Sequence, residues 1–330
     1  MKKTSIIALL AALVLLVASV GFAAAETEVV LHRGYGAPHG ERSFARAAVL
    51  TAGDKIVAVT IDEFQYMAPA EGLTPVPNSD KGFAAGAKEG MVLISKRVND
   101  AVYSKNMADK AQATKLLSEG YAAIEAFAVG KTAAELEEVI KASEPGKPVD
   151  AVSGATLVDT VGYLQLIVDV AKSEDMVVKG VVADTANVVL KAVQGAPHGE
   201  RSFGDAVVAL EDGKILAASI DEFQYFAGVG VPNSDKGFGA NYAKAEAPLA
   251  SKKVNDEAYS KNMADKAQAT KLLSEGYAAI EAYVVGKTGQ EVKDFAAAQE
   301  AGKPVDAVSG ATLVDTVGYL NLLADAALAQ

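Results

Sequence analysis

The sequence predicts an α+β fold, written twice in one chain. Three observations carry that expectation. Long stretches of the first half return in the second, in the same order. Each half opens with short β-branched runs joined by a hairpin signal. Each then passes into helical patterning that continues to its end.

The duplication is literal over much of its length. GAPHGERSF at Gly36 returns at Gly195, IDEFQY at Ile61 returns at Ile220, and VPNSDKGF at Val76 returns at Val231. Tyr103 to Ala126 returns unchanged as Tyr259 to Ala282, and Gly146 to Leu164 as Gly302 to Leu320. The offsets of 155 to 159 positions are far longer than a solenoid repeat, so each copy is a domain in its own right. The boundary falls near Lys172 to Val182, where KSEDMVVKG breaks the apolar pattern. This places domain one at 27–175 and domain two at 182–330.

Within each copy the elements follow in order. Val29 to Leu31 and Val188 to Leu190 read as first strands. Ser202 to Leu210 and Lys214 to Phe223 flank Asp212-Gly213, a hairpin turn because both residues tolerate positive φ; Gly53-Asp54 stands there in the first copy. Lys105 to Phe127 reads as one helix, with Leu117, Tyr121 and Ile124 on one face. Thr132 with Glu135, and Thr288 with Glu291, are capping-box pairs that start another. Pro145 to Pro148 stops it. A last helix is expected to begin at the following motif, with Leu157, Val161, Leu164 and Val168 as its apolar stripe, and Leu313, Val317 and Leu320 in the second copy.

Composition narrows the chemistry. The absence of cysteine excludes disulfides, thiolate metal sites, iron–sulfur clusters and c-type haem attachment, so redox work would need an organic cofactor. Three histidines are too few for a metal cluster in each half, and no metal is expected. A net charge of −11 argues against nucleic acid as a partner. Lys2 and Lys3, the apolar run Ile6 to Val20 and the small residues Ala23 to Ala25 read as a signal peptide cleaved after Ala25. The rival is an uncleaved anchor, since Ile6 to Ala25 is long enough to cross a bilayer. Thinning to Gly and Ala favours cleavage, and hence an exported, extracytoplasmic chain.

The chemistry concentrates in Asp150-Ala-Val-Ser153-Gly154-Ala155-Thr156 and its copy Asp306 to Thr312, with Ser309, Gly310 and Ala311 inside it. The segment reads as an extended stretch turning into a helix N-terminus, with Ser153 or Asp150 as cap. Gly154 would let another group approach the backbone. Unpaired N–H groups would favour a phosphate, and Thr156 or Thr312 puts a hydroxyl at the same spot. The plain alternative is a capped helix start that binds nothing.

D-x-x-[ST]-G-A-T resembles the attachment motif of the FMN-binding domain family, found in flavin subunits of Rnf complexes and sodium-pumping NADH:quinone reductases, and in flavoproteins of extracellular electron transfer. The resemblance covers nearly the whole chain after residue 25. It implies two tandem FMN-binding domains, with FMN joined by phosphoester bonds to Thr156 and Thr312. It also implies a separate exported flavin transferase that makes the bond from FAD with Mg²⁺ and releases AMP. Asp150 and Asp306 would then serve transferase recognition. The chain departs from the family in lacking a lipobox, and in placing Val158 and Val314 where a hydroxyl residue is common. The implied role is an electron carrier between a membrane dehydrogenase or quinone-linked donor and an extracellular or periplasmic acceptor. The alternatives are a flavin subunit of a reductase, or a non-redox surface module.

Other residues carry weaker signals. His39 with Arg42, and His198 with Arg201, are candidates for the cofactor's ring or phosphate, or else lie in a polar loop. Gly34-x-Gly36-x-x-x-Gly40 has the wrong spacing for a dinucleotide turn. Asn78 to Gly82, and the copy from Asn233, read first as a turn, with a loop against the flavin as the sharper alternative. Asp62 and Glu63, with Asp221 and Glu222, read as a solvated strand end before a general acid pair. Phe64, Tyr66, Phe223 and Tyr225 read as core by default, with stacking on the flavin ring as the alternative, and Tyr103 and Tyr259 are left open in the same way.

Overall fold

The computed structural model describes residues 26–239, 244 and 246–330; the expected signal peptide, residues 1–25, lies outside the described residues. The chain is a mixed α/β structure built on two antiparallel sheets. The first half contributes β1 (Thr27–Gly36), β2 (Ser43–Ala52), β3 (Lys55–Met67), the short α1 (Gly82–Ala85) and β4 (Val92–Ser95). It continues as α2 (Asp100–Ala111), α3 (Leu117–Ala128), α4 (Ala133–Ala142), α5 (Thr160–Lys172) and β5 (Val177–Val182). The second half contributes β6 (Val188–Gly195), β7 (Ser202–Glu211), β8 (Lys214–Tyr225), β9 (Leu249–Ser251), α6 (Asp256–Ala267), α7 (Leu273–Val284), α8 (Gly289–Ala297) and α9 (Thr316–Leu328).

The strand order is β4-β3-β2-β1-β5 in one sheet and β6-β7-β8-β9 in the other. Both expected hairpins form. Asp212 and Gly213 take φ of 50° and 79°, and Gly53 takes 59°. The segment that breaks the apolar pattern between the halves is itself a strand: β5 pairs antiparallel with β1, Thr27 opposite Val182.

Each sheet is covered twice. On the outer face lie the helices of its own half, where Ala45, Val49 and Ile61 meet Tyr121, Ile124 and Leu164. The inner faces of the two sheets meet each other. Phe44, Phe64, Phe203 and Phe223 form one block there, with ring centroids 4.8–5.7 Å apart in the closest pairs. Val29, Leu31, Leu50, Val207 and Ala217 form a second. Each phenylalanine removed from water in this way stabilises by about 1.5–3 kcal/mol.

Charges are buried in the same junction. Arg33 Nη2 lies 2.5 Å and Arg46 Nε 3.2 Å from Asp205 Oδ2, all three side chains being almost wholly enclosed. Gln194 donates to the other Asp205 oxygen at 2.7 Å. Tyr35 donates to Asp221 at 2.6 Å.

Two helical expectations need correction. Lys105 to Phe127 is two helices, because Gln112 adopts a left-handed conformation (φ 54°) and closes α2. The open N–H groups of α3 are then satisfied by α2: Ser104 accepts from Leu117 N at 2.8 Å, and Asp100 from Ser118 N at 3.2 Å. The last helix begins at Thr160, not at the Thr156 motif, with Asp159 as N-cap. Leu157 is instead seated on Gly120 of α3, and Thr160 Oγ1 bonds back to Leu157 O at 2.6 Å. The chain is thereby held in a turn before the helix starts. The capping boxes form as expected: Glu135 N donates to Thr132 Oγ1 at 3.1 Å and Thr132 N to Glu135 Oε2 at 2.7 Å.

Replacing Asp205 with alanine leaves two guanidinium groups enclosed against one missing partner. The expected loss is about 3–5 kcal/mol of unfolding free energy, read from urea denaturation. A loss below about 1 kcal/mol, the range of exposed ion pairs, would show that the junction is open to water.

Candidate functional site

Five segments of the first half converge on one place. They are the end of β3, the β4–α2 link, the α2–α3 break, the loop around His39 and the stretch from Thr156 to Asp159. Between them is a cavity of about 500 Å³. Tyr103, Met107 and Leu117 give it apolar walls, and His39, Lys96 and Asn106 give it polar ones. Thr156 and Val158 stand at its margin, both exposed.

The equivalent place in the second half is lined by His198, Lys252, Tyr259, Met263, Leu273 and Thr312, around about 330 Å³. A second space of about 450 Å³ adjoins it, sharing His198, Tyr259 and Met263. Phe226 stands there in place of Met67, and its ring edge meets Tyr259 at 5.4 Å. An aromatic wall thus divides what is one cavity in the first half.

Beneath each cavity lies a buried carboxylate. Glu63 accepts from Ser43, from Tyr163, from Tyr121 at 3.2 Å and from Lys96 at 2.8 Å. Burial alone would raise its pKa. The Lys96 ammonium beside it outweighs burial and holds the carboxyl at about 2. Lys96 also lies 4.7 Å from the centre of the Tyr103 ring and 2.9 Å from His39 Nδ1. Since an ammonium can only donate, Nδ1 faces Lys96 as the acceptor, and Nε2 is the ring nitrogen turned outward. That nitrogen lies 3.8 Å from Asp159 Oδ2 at the cavity margin. Glu222 repeats the arrangement with Ser202, Lys252, Tyr277 and Tyr319, and lies well below the usual carboxylate range for the same reasons. Tyr121, Tyr163, Tyr277 and Tyr319 are pushed up by burial and stay protonated, as donors to these carboxylates must.

The threonine motif is a run of turns. Val152 N donates to Val149 O and Ala155 N to Val152 O. Gly154 takes φ of 98°, a region that side-chain-bearing residues avoid, and its carbonyl accepts from Lys115 Nζ at 2.8 Å. Asp150 and Ser153 are exposed, Ala155 is buried, and neither Asp150 nor Ser153 caps α5. Asp306, Ser309, Gly310, Ala311 and Thr312 repeat this course, with Lys271 Nζ 2.9 Å from Gly310 O. The expected helix-end phosphate site therefore moves: Thr156 stands four residues ahead of the first helical residue. The cations about the motif come from side chains, Lys110 in the cavity wall and Lys115 against the Gly154 carbonyl.

His39 and His198 line the cavities, whereas Arg42 is exposed and outside the first one. Arg201 borders the adjoining space and another beside Tyr225, not the one at Thr312. Asp62 and Glu63 are not a solvated strand end, being 2% and 0% exposed. Strand alternation sends Glu63 to the helices and Asp62 toward the junction. Phe64, Tyr66 and Phe223 are core, while Tyr103 and Tyr259 are cavity walls. Sequence reading missed Lys96, Tyr163 and their copies. The available signal was a lysine following the apolar run Val92 to Ile94, since a charge at the end of a buried strand needs a buried partner.

In chemical terms each site offers an exposed hydroxyl beside a cavity with an aromatic wall, an enclosed ammonium and a half-exposed imidazole. That donor set fits a planar aromatic group bearing an anionic tail.

The lowered Glu63 carboxyl has a definite pH signature. Its ionised form stabilises the folded chain above the ordinary value of 4.5, and that contribution is lost as pH falls from about 4.5 to about 2. Glu63→Gln is therefore expected to be less stable at pH 7 and to lose part of this acid dependence. Urea midpoints at several pH values between 6 and 2 measure it; parallel curves for the two proteins would refute the assignment.

Comparison with protein-family models, with curated proteins and with solved structures finds no match to this chain.

Proposed function

We propose that this chain is an exported carrier of two covalently held flavins, an electron carrier with one FMN on Thr156 and one on Thr312. The observation that carries the reading is the placement of both threonines. Each stands, exposed, at the margin of a cavity with the same tyrosine, methionine, leucine, lysine and histidine walls. The resemblance of the surrounding seven residues to the flavin attachment motif supplies the identity of the group.

FMN, when bound, supplies one- and two-electron chemistry that no side chain of this cysteine-free protein offers. The protein's own residues bind and tune. Tyr103 and Met107 would flank the ring system, and Lys110 and Lys115 would serve the phosphate. Lys96, neutralised by Glu63, places a fixed ammonium in the cavity wall, where it favours negative charge in the cavity. His39, 42% exposed, stands between that ammonium and solvent.

An exposed hydroxyl suits modification by a separate flavin transferase. The wider reading includes a membrane dehydrogenase or quinone-linked donor, an extracytoplasmic acceptor, and export by the first 25 residues. No helix among the described residues is long and apolar enough to cross a membrane.

Coexpression with a flavin transferase tests this. The intact mass of the mature chain is expected to carry two FMN phosphoester increments, one in Thr156→Ala, one in Thr312→Ala and none in the double variant. An unmodified, colourless wild-type chain from the same cells would end the proposal.

A further inference from the structure

Two repeated segments take no part in the function above: the turn at Asn78 and its copy at Asn233. In both, the asparagine side chain reaches into the other half. Asn78 Nδ2 donates to Gly199 O at 2.8 Å and to Ser202 O at 2.7 Å, both in the second half. Asn233 Nδ2 donates to Gly40 O and Ser43 O, each at 2.7 Å, in the first. The acceptors bracket the loops that follow His198 and His39. We propose that Asn78 and Asn233 are crossed positioning residues, each holding the histidine loop that walls the other half's cavity.

The geometry supports a holding role on both sides of the contact. Each asparagine is fixed in a left-handed conformation, φ 67° and 66°, which asparagine tolerates better than most residues. Each turn is anchored across the junction by the phenylalanine that ends it. Phe83 packs 5.8 Å from Phe203, and Phe238 packs 5.9 Å from Phe44. The accompanying pairs, Lys81 with Glu200 and Lys236 with Glu41, also cross between halves. They are exposed and screened, so the paired amide contacts, part-buried at Ser202 and Ser43, are the stronger hold.

The loops so held carry the sites' histidines. Ser202 Oγ lies 3.1 Å from His198 O and donates to Glu222 at 2.5 Å, tying the asparagine's acceptor residue to the buried carboxylate. Ser43 does the same for His39 O and Glu63. His198 Nδ1 then meets Lys252 Nζ at 3.0 Å, with Glu222 at 3.6 Å and Asp315 at 3.7 Å from the ring. A small displacement of the loop changes all three distances. Each cavity is thus completed by a residue more than a hundred positions away in the chain, and the two sites depend on one junction.

The three histidines of the chain make the test direct. Their ring proton resonances are recorded by NMR at one pH on the mature chain without flavin, and assigned with His39→Gln and His198→Gln. Asn78→Gly keeps the left-handed backbone and removes only the amide. It is expected to shift the His198 resonance by more than its line width and to leave His39 and His32 in place. Asn233→Gly is expected to shift His39 and spare His198. Asn78→Asp and Asn233→Asp, which set a carboxylate against two carbonyls, should give the same crossed pattern if a glycine variant does not fold. Shifts confined to the histidine of the mutated half, or no shift in either, overturn the proposal. Because no flavin is present, that result leaves the flavin reading standing, and an unmodified threonine leaves this one standing.

Discussion

The central strands β2 and β7 have no face that tolerates water. Along β2 and β7 nine consecutive residues are buried, so side chains pointing both ways need cover. Helices of the same half supply one cover and the sheet of the other half supplies the second. The four phenylalanines at the junction and the aliphatic block beside them follow from that need. So does the outward position of both cavities, each between a sheet and the helices of its own half.

Strand alternation then sorts the acidic groups. In β3, Glu63 points to the helical side and anchors the cavity network, while Asp62, one residue earlier, points to the junction side and accepts from Ser95 at 2.6 Å. In β8, Glu222 and Asp221 divide in the same way, and Asp221 meets Tyr35 of the other half. Two adjacent carboxylates in one strand thus belong to two separate systems. One neutralises an enclosed lysine beside the site, and the other helps join the halves.

Much of this was legible in the residues, and the remainder was hidden for physical reasons. The repeats, hairpin turns and capping boxes depend on local chemistry, and they appear where Asp212-Gly213 and Thr132 with Glu135 indicate. The pairing of sheets was signalled only by continuous rather than alternating apolar runs such as Ser202 to Leu210, a pattern that does not say what the second cover is. The break between α2 and α3 rests on a left-handed Gln112 and on caps donated by Asp100 and Ser104, contacts between neighbouring helices that no period reveals. The late start of α5 rests on Leu157 seating against Gly120. Glu63 looked solvated because acidic residues usually are; its lysine lies 33 positions later.

Arg46 and Asp205 occupy the same place in the two copies of the repeat, yet carry opposite charge and face each other. Two first halves brought together in this manner would bury arginine against arginine, and two second halves aspartate against aspartate. Like pairs are therefore disfavoured and unlike pairs selected. The protein behaves as a tethered heterodimer, whose first half is complementary to the second half of any copy. The short connection through β5 keeps the two partners at high effective concentration, so closure within one chain outcompetes exchange between chains.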